Sequence, residues 1–344
     1  MRKFFDANAL WLSMLIGVLA YKWLLPLAPI LPWLIFFMLF FTFCKVNPLD
    51  LRLHKWHWVV LIVQIALSLA AYAGVYLLTG NRYMAQGLML CFIMPTATAA
   101  PIIAGKMGGS IQNLTTFTLL SNFATAIIVP TVFPIVNPLA EKAFWPAFLL
   151  ILSRIAPLLL GPFLLAWLVR LSYNWYYRHR DSEMPGLRDT EKNAPQEFVL
   201  PVKLAVIPFY LWVCSIVVLS AVVTETTIIN FQSQINNILI LLVLSFFACL
   251  LQFGLGKLIG YKLPAVSKGR DYQDVLINPA AAPKTMEGVS SITAGQAFGQ
   301  KNTSLGVWMA NTYLDPLASL GAAAYIIWQN IFNSIQLFVV AHKK

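Results

Sequence analysis

The sequence predicts an all-α integral membrane protein with ten transmembrane helices, arranged as two inverted five-helix repeats. Hydrophobic residues make up 59% of the 344 residues and charged residues 11%, and the mean hydropathy is +0.72. One soluble core cannot bury that much apolar surface, so lipid is the predicted solvent. Apolar stretches of about 20 residues recur along the chain, and this is the length that crosses a hydrocarbon core of about 30 Å. We therefore expect one membrane domain over residues 1–344.

The ten apolar segments are separated by short polar or proline-containing stretches. They run at about 8–26, 29–46, 58–78, 84–104, 110–136, 145–173, 201–222, 236–260, 287–312 and 314–340. The charged stretch at about 174–200 is predicted to be a loop between the sixth and seventh helices. The four cysteines lie in or at apolar segments without a CxxC spacing, which favours a packing role.

The charge distribution predicts the orientation. A net charge of +11 would suggest nucleic acid as the partner of a soluble protein. Ten crossings, however, put both termini on one side of the membrane, and the loops and helix ends of that side hold 19 of the 24 Lys and Arg residues. Since positive charge concentrates at the cytoplasmic face, we expect a multi-pass inner (plasma) membrane protein with cytoplasmic termini. Its predicted partners are the lipid bilayer and a small solute, and no nucleic acid.

An equal division of the ten segments falls near residues 137–138. It gives one repeat at about 8–136 and a second at about 145–340, the latter containing the predicted cytoplasmic loop. Five crossings are an odd number, so the second repeat enters the membrane upside down relative to the first. This arrangement places a transporter site at the midplane, between the repeats.

The fourth and ninth segments are interrupted at corresponding positions. The fourth carries Pro95 and Pro101, which remove helical hydrogen bonds, and the ninth carries a polar stretch from Gly295 to Asn302 that includes Gly299. Paired interruptions expose backbone groups to a solute and indicate a transport site. The alternative is a pair of kinks that serve only packing.

The residues around these interruptions match a known pattern. Pro95, Thr98 and Ala99 are in register with Pro, Thr and Ala of a Cys-Pro-Gly-Gly-Thr-Ala-Ser-Asn motif. The run from Ala297 to Leu305 is similar to Glu-Thr-Gly-Met-Gln-Asn-Ser-Gly-Leu. Pro316 and the later Trp328-Gln329-Asn330 are similar to a Pro followed by Trp-His-Asn. In these motifs the chain resembles the bile acid:sodium symporter family.

This resemblance implies a fold and a mechanism. It implies a core of helices 3–5 and 8–10, in which helices 4 and 9 cross, beside a panel of helices 1, 2, 6 and 7. It also implies secondary transport by sodium symport.

The positions of the family's sodium ligands have changed. Four of these positions carry Ala100, Pro101, Ala297 and Lys301, which offer no side-chain oxygen. A hard cation needs oxygen donors. Oxygen-bearing residues remain at a few further positions that the resemblance implies, and each threonine among them is expected to bond back to its own helix. These residues are Gln64, Thr115, Thr118 and Gln300. We therefore predict sodium-independent transport, with no metal site and no cofactor.

Two cations replace the lost ligands. Lys301 lies in the ninth-segment interruption and Arg154 lies about ten residues into the sixth helix, whereas no Asp or Glu lies deep in any span. Charges in the bilayer interior are costly and mark functional sites. Two unpaired cations, together with the positive helix ends after each break, suggest an anionic substrate. The predicted substrate-binding residues are Thr98, Arg154, Lys301, Asn302, Gln329 and Asn330.

Alternatives remain open for both cations. Lys301 is also consistent with a tethered replacement for sodium, with proton coupling through its deprotonation, or with a side chain that snorkels to water. Arg154 is also consistent with a structural contact to backbone carbonyls.

The predicted function is transport of a small or amphipathic organic anion, bile-acid-like or another carboxylate or sulfonate, by alternating access. One alternative is an arsenite-type efflux carrier of the related superfamily, which would use Cys91. Another is a membrane sensor or scaffold that does not transport. An enzyme is not expected, because the sequence has neither an HExxH motif nor a pair of buried carboxylates for acid–base chemistry.

Overall fold

The computed structural model describes residues 2–45, 47, 51–137, 143–183, 198, 201, 204, 206–265 and 285–342. Within these ranges the regular structure is helical and contains no strand. The all-α prediction is therefore confirmed for this part of the chain. The bounds of the α-helices are α1 Arg2–Leu19, α2 Tyr21–Leu24, α3 Leu31–Phe43, α4 Lys55–Thr79, α5 Arg82–Ile93, α6 Ala100–Lys106, α7 Ile111–Val136, α8 Phe144–Glu183, α9 Ile207–Lys262, α10 Met286–Gly299, α11 Thr303–Tyr313 and α12 Ser319–His342. Short 3-10 helices at Leu25–Ile30 and Pro316–Ala318 precede α3 and α12.

Side-chain caps fix several of the helix ends. The Asn81 side chain accepts a hydrogen bond from the Met84 N–H at the start of α5, and the Ser110 hydroxyl accepts one from the Asn113 N–H at the start of α7. Such caps satisfy N–H groups that have no partner within the helix. At the C-terminal end of α4, Gly80 adopts a φ of 65°, a left-handed conformation that glycine reaches without strain.

Six helical stretches in the described part of the chain are long and apolar enough to cross a membrane. They are Tyr21–Phe43, Lys55–Thr79, Ile111–Val136, Phe144–Tyr176, Ile207–Lys262 and Pro316–Val340. The described part of the chain is therefore all-α and has the helices of a membrane-embedded protein. Ten crossings in two inverted repeats stay a prediction.

Four differences separate these six stretches from the ten predicted segments. The first segment divides between α1 and α2, the fourth between α5 and α6, and the ninth between α10 and α11, so none of them is one long apolar helix. The seventh and eighth segments lie together in α9, which also contains the polar stretch predicted to separate them. The chain thus remains helical at that connection.

Helix α9 bends sharply despite its continuous helical structure. Ile216 packs against Ile326 of α12, and the Trp328 indole N–H of the same helix donates to the Leu242 carbonyl at 3.0 Å. These contacts are two residues apart on α12. On a straight α9 they would lie about 39 Å apart, at a rise of about 1.5 Å per residue. Two limbs of α9, one before and one after a bend between Ile216 and Leu242, therefore pack against α12.

Polar side chains occupy the stretch that bends. Thr224, Thr226 and Thr227 each donate a hydrogen bond to the carbonyl four residues earlier, and the Asn230 amide does the same. Such back-bonding competes for the helical carbonyls and bends helices. The polar sequence that predicts a loop here instead keeps its bonds within the helix.

Helix α8 extends beyond its predicted end at residue 173 and continues to Glu183, although Pro157 and Pro162 lie within it. Its 40 residues span about 60 Å, about twice the thickness of a hydrocarbon core. The predicted loop at 174–200 therefore begins as helix. Residues 184–197, 199 and 200 of that loop lie outside the described residues.

Glycines let the second limb of α9 approach α10 at backbone distance. Gly256 faces the carbonyl of Ala294, and Gly260 faces the carbonyl of Ser290, so neither position has room for a Cβ atom. Small residues four positions apart commonly permit such packing between membrane helices. The contact holds α10 in place, and α10 leads directly into the interruption before α11.

Candidate functional site

The two predicted interruptions are present and meet each other. The chain is non-helical between α5 and α6 and again between α10 and α11, where Thr96 and Lys301 form an antiparallel bridge. On either side of this bridge the Ala97 N–H donates to the Gln300 carbonyl at 3.0 Å, and the Asn302 N–H donates to the Pro95 carbonyl at 2.8 Å. The crossing therefore pairs backbone groups that the broken helices leave unsatisfied.

The two prolines of the fourth segment have different roles. Pro95 lies in the non-helical stretch, where its carbonyl takes part in the crossing. Pro101 is the second residue of α6, a position at which the missing N–H is not needed by the helix. Pro101 therefore starts the second half-helix, and the break lies before it.

Side chains from other elements satisfy the carbonyl end of α5. The last carbonyls of a helix have no partner within it and carry the negative end of the helix dipole. Here Gln252 of α9, Lys301 and Gln64 of α4 supply the donors. The acceptors are the Cys91 carbonyl for Gln252 at 3.0 Å, the Phe92 carbonyl for Lys301 at 3.0 Å, and the Ile93 and Met94 carbonyls for Gln64 at 3.4 and 3.2 Å.

Lys301 is enclosed by the protein. Its side chain is 1% exposed, and its Nζ also lies 5.0 Å from the centroid of the Phe298 ring. Among the described residues no carboxylate forms an ion pair with it. A lysine that snorkels would extend toward water, whereas the Nζ of Lys301 lies against a buried carbonyl, so the snorkelling alternative is wrong in this structure.

The carbonyl end of α10 is satisfied in a similar way. The Thr96 hydroxyl donates to the Ala297 carbonyl at 2.7 Å, and the Tyr325 hydroxyl of α12 donates to the Gly299 carbonyl at 2.8 Å. The Gln329 side chain accepts the Lys301 N–H at 2.9 Å. Gln329 therefore belongs to the crossing, where it bonds the backbone, and its predicted contact with a substrate stays a prediction.

The start of α11 holds an unsatisfied polar group. The Oδ1 of Asn302 accepts a hydrogen bond from the Leu305 N–H at 3.2 Å, which caps the helix. The Nδ2 of the same side chain is buried and has no acceptor. Ser304, in the first turn, lies 3.4 Å from Ser215 of α9, measured between hydroxyl oxygens. A buried amide donor beside the positive end of a helix favours a ligand with an anionic acceptor.

The residues predicted as remaining ion ligands do not form an oxygen cage. Thr115 and Thr118 donate to the carbonyls four residues earlier on α7, at 2.8 and 2.9 Å. Gln300 donates to Gln296 and, at 3.2 Å, to Asn333. Of these four residues, only Gln64 keeps a buried side-chain oxygen without a partner, and one oxygen does not make a sodium site. No group of three or more His, Cys, Asp or Glu residues gathers within the described ranges.

Thr98 and Asn330 lie near the crossing but do not bond to it. Asn330 donates to the Ile326 carbonyl of its own helix at 2.7 Å, and its side chain is half-buried. Thr98 is also half-buried, and its hydroxyl makes no hydrogen bond within the described part of the chain. The structure thus brings together Lys301, Asn302 and Gln329 and leaves these two residues at the margin.

Arg154 lies at a different place. Its side chain is exposed, and its guanidinium lies beside the hydroxyl of Tyr313, the last residue of α11. Lys301 lies just before the first residue of α11, whereas Arg154 lies beside its last residue, and the 11 residues of this helix span about 16 Å. The two predicted cations therefore do not share one site.

A buried amide cluster was not predicted. Gln296 of α10 donates to Gln336 of α12 at 3.3 Å, and the Gln300 donation to Asn333 joins the same helices. The sequence signal was available, because residues 329, 333 and 336 are spaced to lie on one face of a helix. Gln252 and Tyr325 were also missed, although each is a polar group within an apolar run.

Comparisons with known proteins identify no relative of the chain. No protein-family model matches the chain, and no curated protein is significantly similar to it. The resemblance to the bile acid:sodium symporters therefore rests on the motifs that meet at this crossing.

Proposed function

We propose that the chain is a secondary transporter that carries a small or amphipathic organic anion by alternating access. The observation that supports this most is the meeting of two interrupted helices at the Thr96–Lys301 bridge. Interrupted helices leave N–H and C=O groups without helical partners inside an apolar protein, which costs stability. Transporters use pairs of such helices to hold solutes and ions. We further propose ten crossings, two inverted repeats and cytoplasmic termini.

Lys301 is proposed to replace the coupling cation. Its ammonium group bonds to the Phe92 carbonyl at the negative end of α5, a position suited to a bound cation. Of the two roles considered for this side chain, a fixed positive charge has more support than direct binding of the substrate, because its bonding partner is the protein itself. Transport is therefore proposed to be independent of sodium.

Asn302 is proposed to bind the anionic group of the substrate. Its free Nδ2 and the first turn of α11 offer donors to a carboxylate or sulfonate, and Lys301 adjoins it in sequence. Asn302 is 4% exposed, so a solute reaches it only after neighbouring helices separate, as alternating access requires. Arg154, which is exposed at the far end of α11, is proposed to contact the anion at another stage of the cycle.

The test is solute uptake by the purified protein in proteoliposomes, with a panel of carboxylates and sulfonated sterols. Uptake is measured in sodium, in choline and with a proton gradient. We expect saturable uptake of at least one anion that is equal in sodium and choline. Stimulation by sodium alone would contradict the proposed role of Lys301, and no flux across the panel would favour a sensor or scaffold.

Arsenite efflux is the nearest alternative in chemistry. Cys91 is wholly buried and lies on α5, where its thiol contacts the carbonyls of Gly87 at 3.3 Å and Gly321 at 3.5 Å. It is therefore engaged by backbone and is separate from the free amide of Asn302. Expression in an arsenite-sensitive strain separates the two functions, because an arsenite carrier restores growth and an organic anion carrier does not.

A further inference from the structure

A pocket with two opposite charges lies at the end of the bundle where the chain turns between α2 and α3. The bent stretch of α9 forms its other wall. The pocket is lined by Tyr21, Lys22, Leu25, Glu225, Ile228 and Ile229. It is separate from the crossing, and neither charge takes part in the proposed transport site.

The two charges face the same pocket without forming an ion pair. Lys22 is exposed, and its Nζ lies 5.9 Å from the centroid of the Tyr21 ring. Glu225 is half-buried on α9 and has no cation bonded to it among the described residues. An ammonium group and a carboxylate that share a pocket but stay apart are complementary to a ligand that carries both charges.

The surroundings of the pocket are apolar and exposed. Ile228 is 55% exposed, Ile229 71% and the adjacent Trp23 80%. Trp and Tyr are enriched at membrane interfaces, where one part of the side chain meets lipid and another meets the head groups. A ligand complementary to this pocket would place charged groups between Lys22 and Glu225 and an apolar portion along the isoleucines.

We propose that this pocket binds the head group of a zwitterionic phospholipid with a primary amine, that is, a phosphatidylethanolamine. Lys22 pairs with the phosphate and Glu225 accepts hydrogen bonds from the ammonium group. The acyl chains lie along Ile228 and Ile229. The primary amine matters because it donates hydrogen bonds to a carboxylate, whereas a quaternary choline cannot.

The test is native mass spectrometry of the detergent-purified full chain with phosphatidylethanolamine, phosphatidylcholine and phosphatidylglycerol. We expect phosphatidylethanolamine to bind about tenfold more tightly than the other two, since a charged hydrogen bond is lost with each of them. Glu225→Gln should remove this preference, whereas Lys22→Gln should weaken the binding of all three lipids, because the phosphate is common to them. Glu287→Gln, which neutralises an acid in the first turn of α10, is the matched control and should keep the preference for phosphatidylethanolamine.

Two outcomes would overturn the proposal. Equal binding of the three lipids by the unaltered protein is one, and an unchanged preference in Glu225→Gln is the other. Soluble glycerophosphoethanolamine is a further arm of the experiment, because binding as tight as that of the lipid would assign the pocket to a soluble zwitterion. Thermal unfolding without lipid checks that each variant is folded. None of these readings depends on solute transport.

Discussion

Residue 301 is a lysine, whereas the bile acid:sodium symporters, which the chain resembles, have glutamine at the matching position. The Nζ of Lys301 lies 3.0 Å from the Phe92 carbonyl oxygen. Replacing this lysine with methionine leaves that buried carbonyl without a donor, at a cost of about 1–3 kcal/mol. We therefore expect Lys301→Met to lower the unfolding temperature in detergent. Arg154→Met is the control, because an exposed side chain costs less than about 0.5 kcal/mol. Equal unfolding temperatures would contradict a bonded role for Lys301.

The same lysine gives a test of ion dependence. If it replaces a coupling cation, removing its charge and restoring a carboxylate at the crossing should recreate a cation site. Ala297→Glu with Lys301→Gln is therefore expected to make uptake dependent on sodium. The single Ala297→Glu variant is the control, since its carboxylate would pair with the lysine that remains. Identical uptake in sodium and choline by the double variant would refute this role.

A substitution at Asn302 tests substrate binding without removing the cap of α11. Asn302→Asp keeps the oxygen that caps α11, because aspartate is also a good cap, but it removes the free amide and adds a negative charge. We expect normal folding and a substrate affinity at least about tenfold weaker, from loss of a charged hydrogen bond. Asn330→Ala is the control, since this side chain bonds within its own helix. Unchanged affinity in Asn302→Asp would place the anion elsewhere.

The bend in helix α9 can be tested by cross-linking. Because both of its limbs pack on α12, cysteines at positions 216 and 326 and, separately, at 242 and 328 should each be joined by a short bifunctional thiol reagent. A straight α9 allows only one of these pairs to react. A cysteine at 228, on the exposed stretch between the limbs, should not join one at 326. Failure of either packed pair in folded protein would contradict the bend.

The ends of the helices were harder to predict than the helical structure itself. Pro95 and the polar stretch with Gly295 and Gly299 predict the two breaks, because proline removes a helical hydrogen bond and glycine weakens a helix. The polar stretch around Thr224 and Asn230 predicts a loop, yet local back-bonding keeps it helical, and this depends on side-chain geometry that composition does not contain. The continuation of α8 to Glu183 was missed for a similar reason, because charged residues end a membrane segment without ending a helix.

The site was predicted only in part. Lys301, Asn302 and Gln329 follow from their positions in the ninth and tenth segments. The positions of Asn330 and Arg154 depend on rotation about a helix axis and on the length of α11, which a sequence motif does not specify. Gln252 was missed because its partner, the Cys91 carbonyl, lies 161 residues away in sequence.

For the whole molecule, the predicted topology has a direct test. Reporter fusions at Gly80, which follows the last residue of α4, and at residue 190, outside the described residues, should report opposite sides of the membrane. Fusions at the two termini should report the same side as residue 190. Residues 80 and 190 on one side would contradict the inverted repeats.

A positive charge that is covalently attached has an energetic consequence for a carrier. A lysine returns with the protein in every cycle, so each completed cycle transfers only the charge of the solute. For a monovalent anion, a membrane potential of 100 mV then contributes about 2.3 kcal/mol. With a negative cell interior, this energy favours exit and corresponds to roughly a fiftyfold ratio of outside to inside concentration. If Lys301 acts as proposed, voltage takes the place of a sodium gradient as the driving force, and the natural direction is export.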